Sequence, residues 1–346
     1  MEYVKIDGSI GEGGGQIIRT AISLSCITKK PVHIENIRKN RKTPGLKAQH
    51  LTTIRILQKM CNAKTSGAEM HSTEMCFIPG EMKSCKIKEG TGTAGSTCLI
   101  LQSVIPVMAA SGEYFEMELT GGTDVPWSPT FDYTYNVAGE AFSKMGMNFS
   151  LRLDRRGYYP KGAGRIMISV QPDKIIPAIL THRNVNSLII KCSYSKIPKE
   201  IIEDKIGMIS RNITKAGIDA DVHIINEDAL DPGATILVCV NDAKSVMGAD
   251  ALFDVKSKTF DLKFDRITKN HLGVDENLAD MLVLPASIAC GMTILCVPKI
   301  TKHLETNLHV ASKISGCKYG IGRLKDGFEV RIKGVSDSCV HQGGKK

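Results

Sequence analysis

One pattern recurs along this chain three times, and it limits the possible folds more than any bulk property does. The first copy is predicted as a strand at residues 3–7, a glycine-rich turn and an apolar helix at about 16–27. A strand at 32–37, a basic loop, a helix at 46–60 and two strands to about residue 79 follow. The second is predicted as a strand at 85–88, the turn Gly92-Thr93-Ala94-Gly95, a helix at 96–110, a strand at 114–119, a loop ending at Asp124, a helix at 130–144 and two strands to 170. The third is predicted as a helix at 276–290, a strand at 293–297, a loop at 299–302, a helix at 304–314 and paired strands at 319–323 and 328–332. Each copy reads β-α-β-loop-α-β-β over roughly 70–90 residues, too long for a solenoid unit. Three such units around a pseudo-threefold axis would bury a common helical core. Residues 182–268 interrupt the third copy as strand, helix, strand and strand, a small inserted α/β domain. The expected class is therefore α+β: three repeated βαβαββ units in a catalytic domain of residues 1–181 and 269–340, with residues 182–268 inserted.

The repeat has a functional corollary. The loop after the second strand holds Arg38 and Arg41 in copy one, Asp124 in copy two and His303 in copy three. Equivalent loops of a threefold arrangement can converge on one cleft, and such loop ends are where sites are built. In the first of them Arg38, Lys39, Arg41, Lys42 and Lys47 crowd around Pro44-Gly45. A solvated face is the usual meaning of a charge run, but a kinked strand-to-helix loop makes a phosphate site competitive with it.

Between the first strand and helix runs Asp7-Gly8-Ser9-Ile10-Gly11-Glu12-Gly13-Gly14-Gly15-Gln16. Glycines there let backbone N–H groups approach a phosphate at the helix N-terminus. The run is neither a Walker A loop nor a G-x-G-x-x-G fingerprint. With Glu12 inside it, a phosphate or metal role is expected. Lys5-Ile6-Asp7-Gly8 matches the K-x-D-G of lysine-adenylating ligases, but the match is short, and Lys5 faces outward if Val4 and Ile6 face the core. It is read as coincidence. His303, at a strand-to-helix junction, is a candidate nucleophile only in light of the repeat, because a lone histidine at a helix start is more often a surface residue.

A net charge of +9 and a pI near 8.9 favour anionic partners. The eleven cysteines form no C-x-x-C pair, so free thiols in a reducing compartment are expected. The longest apolar stretch, near Cys98 to Ala110, is broken by Gln102 and Ser103 and is too short for a membrane span. The chain starts straight into a predicted strand with no secretory signal, and a cytoplasmic location is expected.

Several of these segments carry a resemblance. DGSIGEGGGQIIRTAISLS near the N-terminus, IRKNRKTPGLKAQH (37–50), GTAGSTCLILQ (92–102) and GGTDVPWSPTFDY (121–133) resemble the RNA 3′-terminal phosphate cyclases. So do RGYYPKGAG (156–164), VDENLADMLVLP (274–285) and HLETN (303–307), in the same order over nearly the whole chain. The resemblance implies a threefold βαβαββ fold with an inserted domain. It also implies ATP as substrate, a divalent Mg or Mn cation, and RNA with a 3′-phosphate as partner. His303 is similar to the family's nucleophile, which carries AMP through a P–N bond, and Glu12 to its acidic residue near the metal. Arg19, Arg38, Arg41 and Gln49 resemble the set that cradles the triphosphate or RNA-end phosphate. Gln102, Pro129 and the block Asn277-Leu278-Ala279-Asp280-Met281 fall where the family binds ATP. Members commonly have an aromatic ring or histidine where Asn277 stands, and glutamine where Met281 stands. The alternatives are a cyclase-like factor in ribosomal RNA maturation that lacks the nucleophile, and an enolpyruvyl transferase, whose six units need a far longer chain.

Overall fold

The computed structural model of the chain describes residues 2–184 and 187–336. Three of its four sheets have four strands, and each has the same order: first, second, fourth, third. The first sheet is β1 (Val4–Asp7), β2 (Val32–Glu35), β3 (Lys64–Ser66) and β4 (Met75–Ile78). The second is β5 (Cys85–Gly90), β6 (Phe115–Gly121), β7 (Asn148–Arg155) and β8 (Gly164–Gln171). In each, the first two strands pair parallel and the others antiparallel. A parallel pair needs a long crossover, supplied by helices α1 (Gly15–Thr28) and α3 (Thr97–Ala110). The second helices are α2 (Ala48–Cys61) in the first unit and a composite in the second: α4 (Phe131–Tyr133), a π-helical turn Thr134–Ala138 and α5 (Gly139–Lys144).

Patterning explains the layers. Phe115, Met117 and Leu119 of β6 are buried while Glu116 and Glu118 face outward, the period-2 signature of a sheet with one covered face. Helix α3 is apolar almost all round and buries both sides, so it belongs at the centre. Helix α1 packs against α2, α3 and the later helix α10 (Lys302–Ser315).

The remaining strands correct the sequence reading in three places. The unit completed by β15, β16 and β17 begins with a strand, β9 (Ile179–Leu180), parallel to β15 (Met292–Val297); β16 (Lys318–Leu324) and β17 (Gly327–Lys333) finish the sheet. Between β9 and β15 lies a five-stranded sheet with more strands than expected: β10 (Ser187–Ser195), β11 (Asp219–Asn226), β12 (Gly233–Asn241), β13 (Val246–Asp254) and β14 (Thr259–Phe260). Helix α6 (Lys199–Lys215) packs on it and α7 (Asp265–Thr268) follows. Finally, the predicted helix at 276–290 is divided at Leu282 into α8 (Glu276–Met281) and α9 (Val283–Ile288). Pro285 lacks the N–H that would bond the Met281 carbonyl.

The five-stranded sheet has its own core, in which Leu188, Ile190, Ile202, Ile206, Ile236 and Val238 meet. Leu237 and Cys239, on the opposite face of β12, join the main core instead. Among the described residues nine cysteines are free thiols as expected, but Cys290 is disulfide-bonded. Among the described residues no helix is long and apolar enough to cross a membrane.

Candidate active site

A cleft of about 1280 Å³ opens where the N-terminal ends of α1, α3, α8 and α10 come together. Gly14, Gly15 and Gln16 reach it from α1, Ser96, Leu99 and Gln102 from α3, Asn277, Asp280 and Met281 from α8, and His303 from α10. Unsatisfied N–H groups at helix starts favour anions. Ser96 and Thr301 cap α3 and α10 with their own side chains, whereas α1 begins at Gly14 with no side-chain cap. The glycine-rich turn is shaped by close approach. A Cβ on Gly15 would lie 2.1 Å from His50 Nε2, and Gly11, at φ +60°, would place one 2.0 Å from Thr306 Oγ1.

Glu12, at the tip of that turn, bridges two of the equivalent loops. One carboxylate oxygen meets the Arg41 guanidinium and the other meets His303 Nε2. The opposite ring nitrogen, His303 Nδ1, lies 2.6 Å from Gln16 Oε1. A carbonyl oxygen only accepts, so Gln16 keeps the proton on Nδ1 and leaves Nε2 as the ring's basic atom. Burial pushes the His303 pKa below its ordinary value, Glu12 pulls it back up, and Arg41 and Arg19 push it down. The net shift is downward from the ordinary histidine value.

Arg19 is 7% exposed and, among the described residues, its guanidinium makes no hydrogen bond and no ion pair. Burial drives its pKa down to about 10, with Asp280 as the opposing charge. Asp280 cannot serve as a full counterion: burial pushes its carboxyl up to about 7, against the pull of the nearby Gln16 amide and Arg19. A buried cation without a paired anion is costly, and here it lines a cleft large enough for a phosphate-bearing ligand. Four buried side-chain polar atoms of the described residues lack partners, and Gln16 Nε2, His50 Nε2 and Gln102 Oε1 all belong to this cleft. Such orphans mark a place where a ligand completes the bonding.

The raised Asp280 pKa gives a prediction whose sign runs against intuition. Its folded-state pKa of about 7 lies above the model-peptide 3.8, so the folded chain holds the proton more tightly. The stability this confers is complete below about pH 3.8 and is lost as pH rises through about 7. Asp280→Asn removes that loss. Its melting temperature relative to the parent should therefore be more favourable at pH 8 than at pH 5, measured by thermal melts without ligand. An offset identical at both pH values would show that Asp280 does not titrate in this range.

Of the residues expected from sequence, Glu12, Arg19, Arg38, Arg41, Gln49, Gln102, Pro129, Asn277, Asp280, Met281 and His303 all line this cleft. Leu278 and Ala279 do not: both are fully buried in the main core. Arg38 also has a local structural duty, since it donates to the carbonyls of Thr43 and Gly45 at 2.9 and 3.0 Å. Gln49 Oε1 accepts from Ser96 N at 3.3 Å, joining the start of α2 to the start of α3. Asp124 is 1% exposed and bound to Arg156, which also holds Asp132 and Glu227. The convergence of three equivalent loops thus holds for Arg38, Arg41 and His303 but fails for Asp124; the residues after it, Val125–Pro129, line the cleft instead.

Several cleft residues were not singled out from sequence, Gln16, His50 and Asp250 among them. Gln16 needs its spatial neighbour His303 to be recognised. His50, whose Nδ1 accepts from Lys47 N at 3.0 Å, carries its proton on the orphaned Nε2; burial holds its pKa well below 6.5. Asp250 comes from β13 of the five-stranded sheet, and burial lifts its carboxyl to about 6. For a divalent cation the cleft offers Glu12 and no cluster of three ligands; among the described residues such a cluster occurs only at His33, Glu35 and Glu74, outside the cleft. One carboxylate suits a cation that keeps its waters and takes its other ligands from substrate phosphates.

The profile of the family described as RNA 3′-terminal phosphate cyclase matches residues 10–321. A protein of that name from Pyrobaculum aerophilum is 34% identical over 342 residues, covering 96% of this chain and 98% of its own length. One from Thermococcus gammatolerans is 38% identical over 344 residues, with the same coverage of each. A solved structure of the enolpyruvyl transferase NikO from Streptomyces tendae covers 94% of this chain and 47% of its own, at 8% identity and a TM-score of 0.40, too low to carry an argument. With its helix-end cleft and a profile match across most of its length, the chain belongs to the RNA 3′-terminal phosphate cyclase family.

Proposed function

We propose that this protein uses ATP to convert an RNA 3′-terminal phosphate into a 2′,3′-cyclic phosphodiester, through a covalent His303–AMP and an RNA(3′)pp(5′)A intermediate. The observation that carries the reading is His303, a partly buried imidazole whose Nδ1 is bonded to Gln16 and whose Nε2 faces the cleft beside Glu12 and Arg41. In the first step Nε2 attacks the α-phosphorus, a P–N bond forms, the bridging P–O bond breaks and pyrophosphate leaves. Next, an oxygen of the RNA 3′-phosphate attacks the AMP phosphorus and returns a neutral His303. The neighbouring 2′-OH then attacks the 3′-phosphorus and AMP departs. Its nucleophile is already beside its target, so this last step needs orientation more than activation.

Charge neutralisation is the main demand of such transfers. Arg19, Arg38 and Arg41 meet it, Arg19 with a guanidinium that forms no ion pair among the described residues. Glu12 would hold Mg²⁺ or Mn²⁺, which supplies further neutralisation of phosphate charge when bound. Gln102, Pro129, Asp280 and their neighbours form the adenosine end, and Gln49 and His50 the phosphate end. The same reading takes the three four-stranded sheets as copies of one βαβαββ unit about a pseudo-threefold axis. The body then spans residues 1–181 and 269–340, residues 182–268 are inserted, and the enzyme works in the cytoplasm.

The test is RNA with a labelled 3′-phosphate, incubated with ATP, Mg²⁺ and the protein. The label should become resistant to phosphatase and regain sensitivity after opening of the cyclic ester. RNA that stays phosphatase-sensitive while still binding the protein would favour the non-catalytic processing factor.

A further inference from the structure

The rim of the cleft carries a side chain that the proposed chemistry leaves unused. Trp127, the only tryptophan of the chain, lines the cleft and is 99% exposed. Its backbone sits at φ +63°, a left-handed conformation that a bulky residue adopts at a cost of about 1 kcal/mol or more. A turn alone would be served by glycine, as at Gly11, Gly13 and Gly92 of this chain. The loop is held firmly on either side of the ring. Ser128 Oγ donates to Val125 O at 2.8 Å, Thr130 N to Asp250 at 2.7 Å and Phe131 N to Asp124 at 2.9 Å. Tyr159, 67% exposed, lines the same cleft from another loop. That loop is fixed where Lys161 N donates to Asp231 at 2.9 Å and Gly162 N to Tyr158 O at 2.7 Å.

Solvent-facing rings on hydrogen-bonded loops, lining the same cleft as Arg38, Arg41 and Lys42, combine the elements of single-stranded nucleic-acid binding: cations for the backbone and π-faces for bases. Resting on the cyclase reading, we infer that Trp127, with Tyr159 beside the same cleft, stacks the bases at the 3′ end of the RNA and so presents its terminal phosphate to Arg38 and Arg41. The adenine of ATP is the other nucleobase available. Its expected contacts Gln102 and Asp280 lie on α3 and α8 in the wall of the cleft, and the third, Pro129, lies two residues beyond Trp127 at the inner end of the same loop. A ring standing free at the rim suits a base at the end of a strand that continues into solvent.

Because the chain has one tryptophan, its fluorescence reports on this ring directly. Short 3′-phosphorylated oligoribonucleotides should quench it on titration, and oligomers abasic at the last two positions should quench it much less. In cyclisation kinetics, Trp127→Ala should raise KM for the normal oligomer by about 5- to 150-fold, more than it changes kcat. Trp127→Phe should recover part of the loss. For the abasic oligomer the Ala variant and the parent should differ by less than twofold, because the base and the ring contribute only together. Equal losses with both oligomers, or an unquenched tryptophan in an enzyme that cyclises RNA, would overturn the platform and leave the cyclase reading intact. ATP alone quenching as fully as RNA would overturn it in favour of adenine. Quenching by RNA in a protein that neither labels with ATP nor cyclises would sink the cyclase reading and keep the platform.

Discussion

His303→Ala is expected to abolish covalent labelling by α-labelled ATP, while Lys5→Ala labels at near parent level. His303 stands in the cleft with its Nε2 toward Glu12, whereas Lys5 is exposed in the middle of β1, opposite His33 in the sheet, and does not line the cleft. The Asp-Gly that completes its ligase-like motif has a structural duty. Asp7 accepts from both the backbone and hydroxyl of Ser9 and from Asn36, and a Cβ on Gly8 would come within 2.9 Å of Glu35 O. Loss of a nucleophile costs many orders of magnitude, not a small factor. The control is RNA that already carries a 3′-pp-5′A end: the alanine variant should still cyclise it, since that step needs no adduct. AMP mapped to Lys5, or normal labelling of His303→Ala, would overturn the site and the mechanism together.

Arg19→Met should separate function from stability. Arg19 is buried with no ion-pair partner among the described residues, and burial, opposed in part by Asp280, lowers its pKa to about 10. A thioether of similar length removes the desolvation cost, so the variant should melt at or above the parent temperature. Adenylation and cyclisation should nevertheless fall by about 100-fold or more, the scale on which a preorganised charge acts in a transition state. A melting temperature lowered by many degrees with turnover unchanged would show that Arg19 holds the core together.

Much of this was legible in the chain because period and chemistry coincide. The alternation in β6 and the helical patterning of α1, α3 and α10 fix those elements whatever surrounds them. Other features give no local signal. Strand β9 is two residues long and exists only because Ile179 and Leu180 pair with Ile294 and Leu295. Strand β13, Val246–Asp254, contains Gly248, Ala249 and Ala251, weak strand formers that are set by their antiparallel register with β12.

The site divides in the same way. The Asn277–Met281 block could be located but not resolved face by face. Asn277, Asp280 and Met281 follow the i, i+3, i+4 spacing of one helix face and line the cleft, while Leu278 and Ala279 turn into the core. Asp124 occupies the expected loop, yet Arg156, 2% exposed between Asp124 and Asp132, draws its carboxylate away from solvent. That partnership spans 32 residues of sequence to one acid and 24 to the other, and no motif announces it.

Strand β12 has a consequence for how the molecule melts. It gives Ile236 and Val238 to one core and Leu237 and Cys239 to the other. Neither core can open along this strand without stripping the other of neighbours. The five-stranded sheet is therefore no detachable appendage in the thermodynamic sense, and the two cores open as one cooperative unit. The amides of β12 should therefore exchange with solvent only through the largest opening event, and Asp250, on the adjacent strand, should keep its place in the cleft wall until that event.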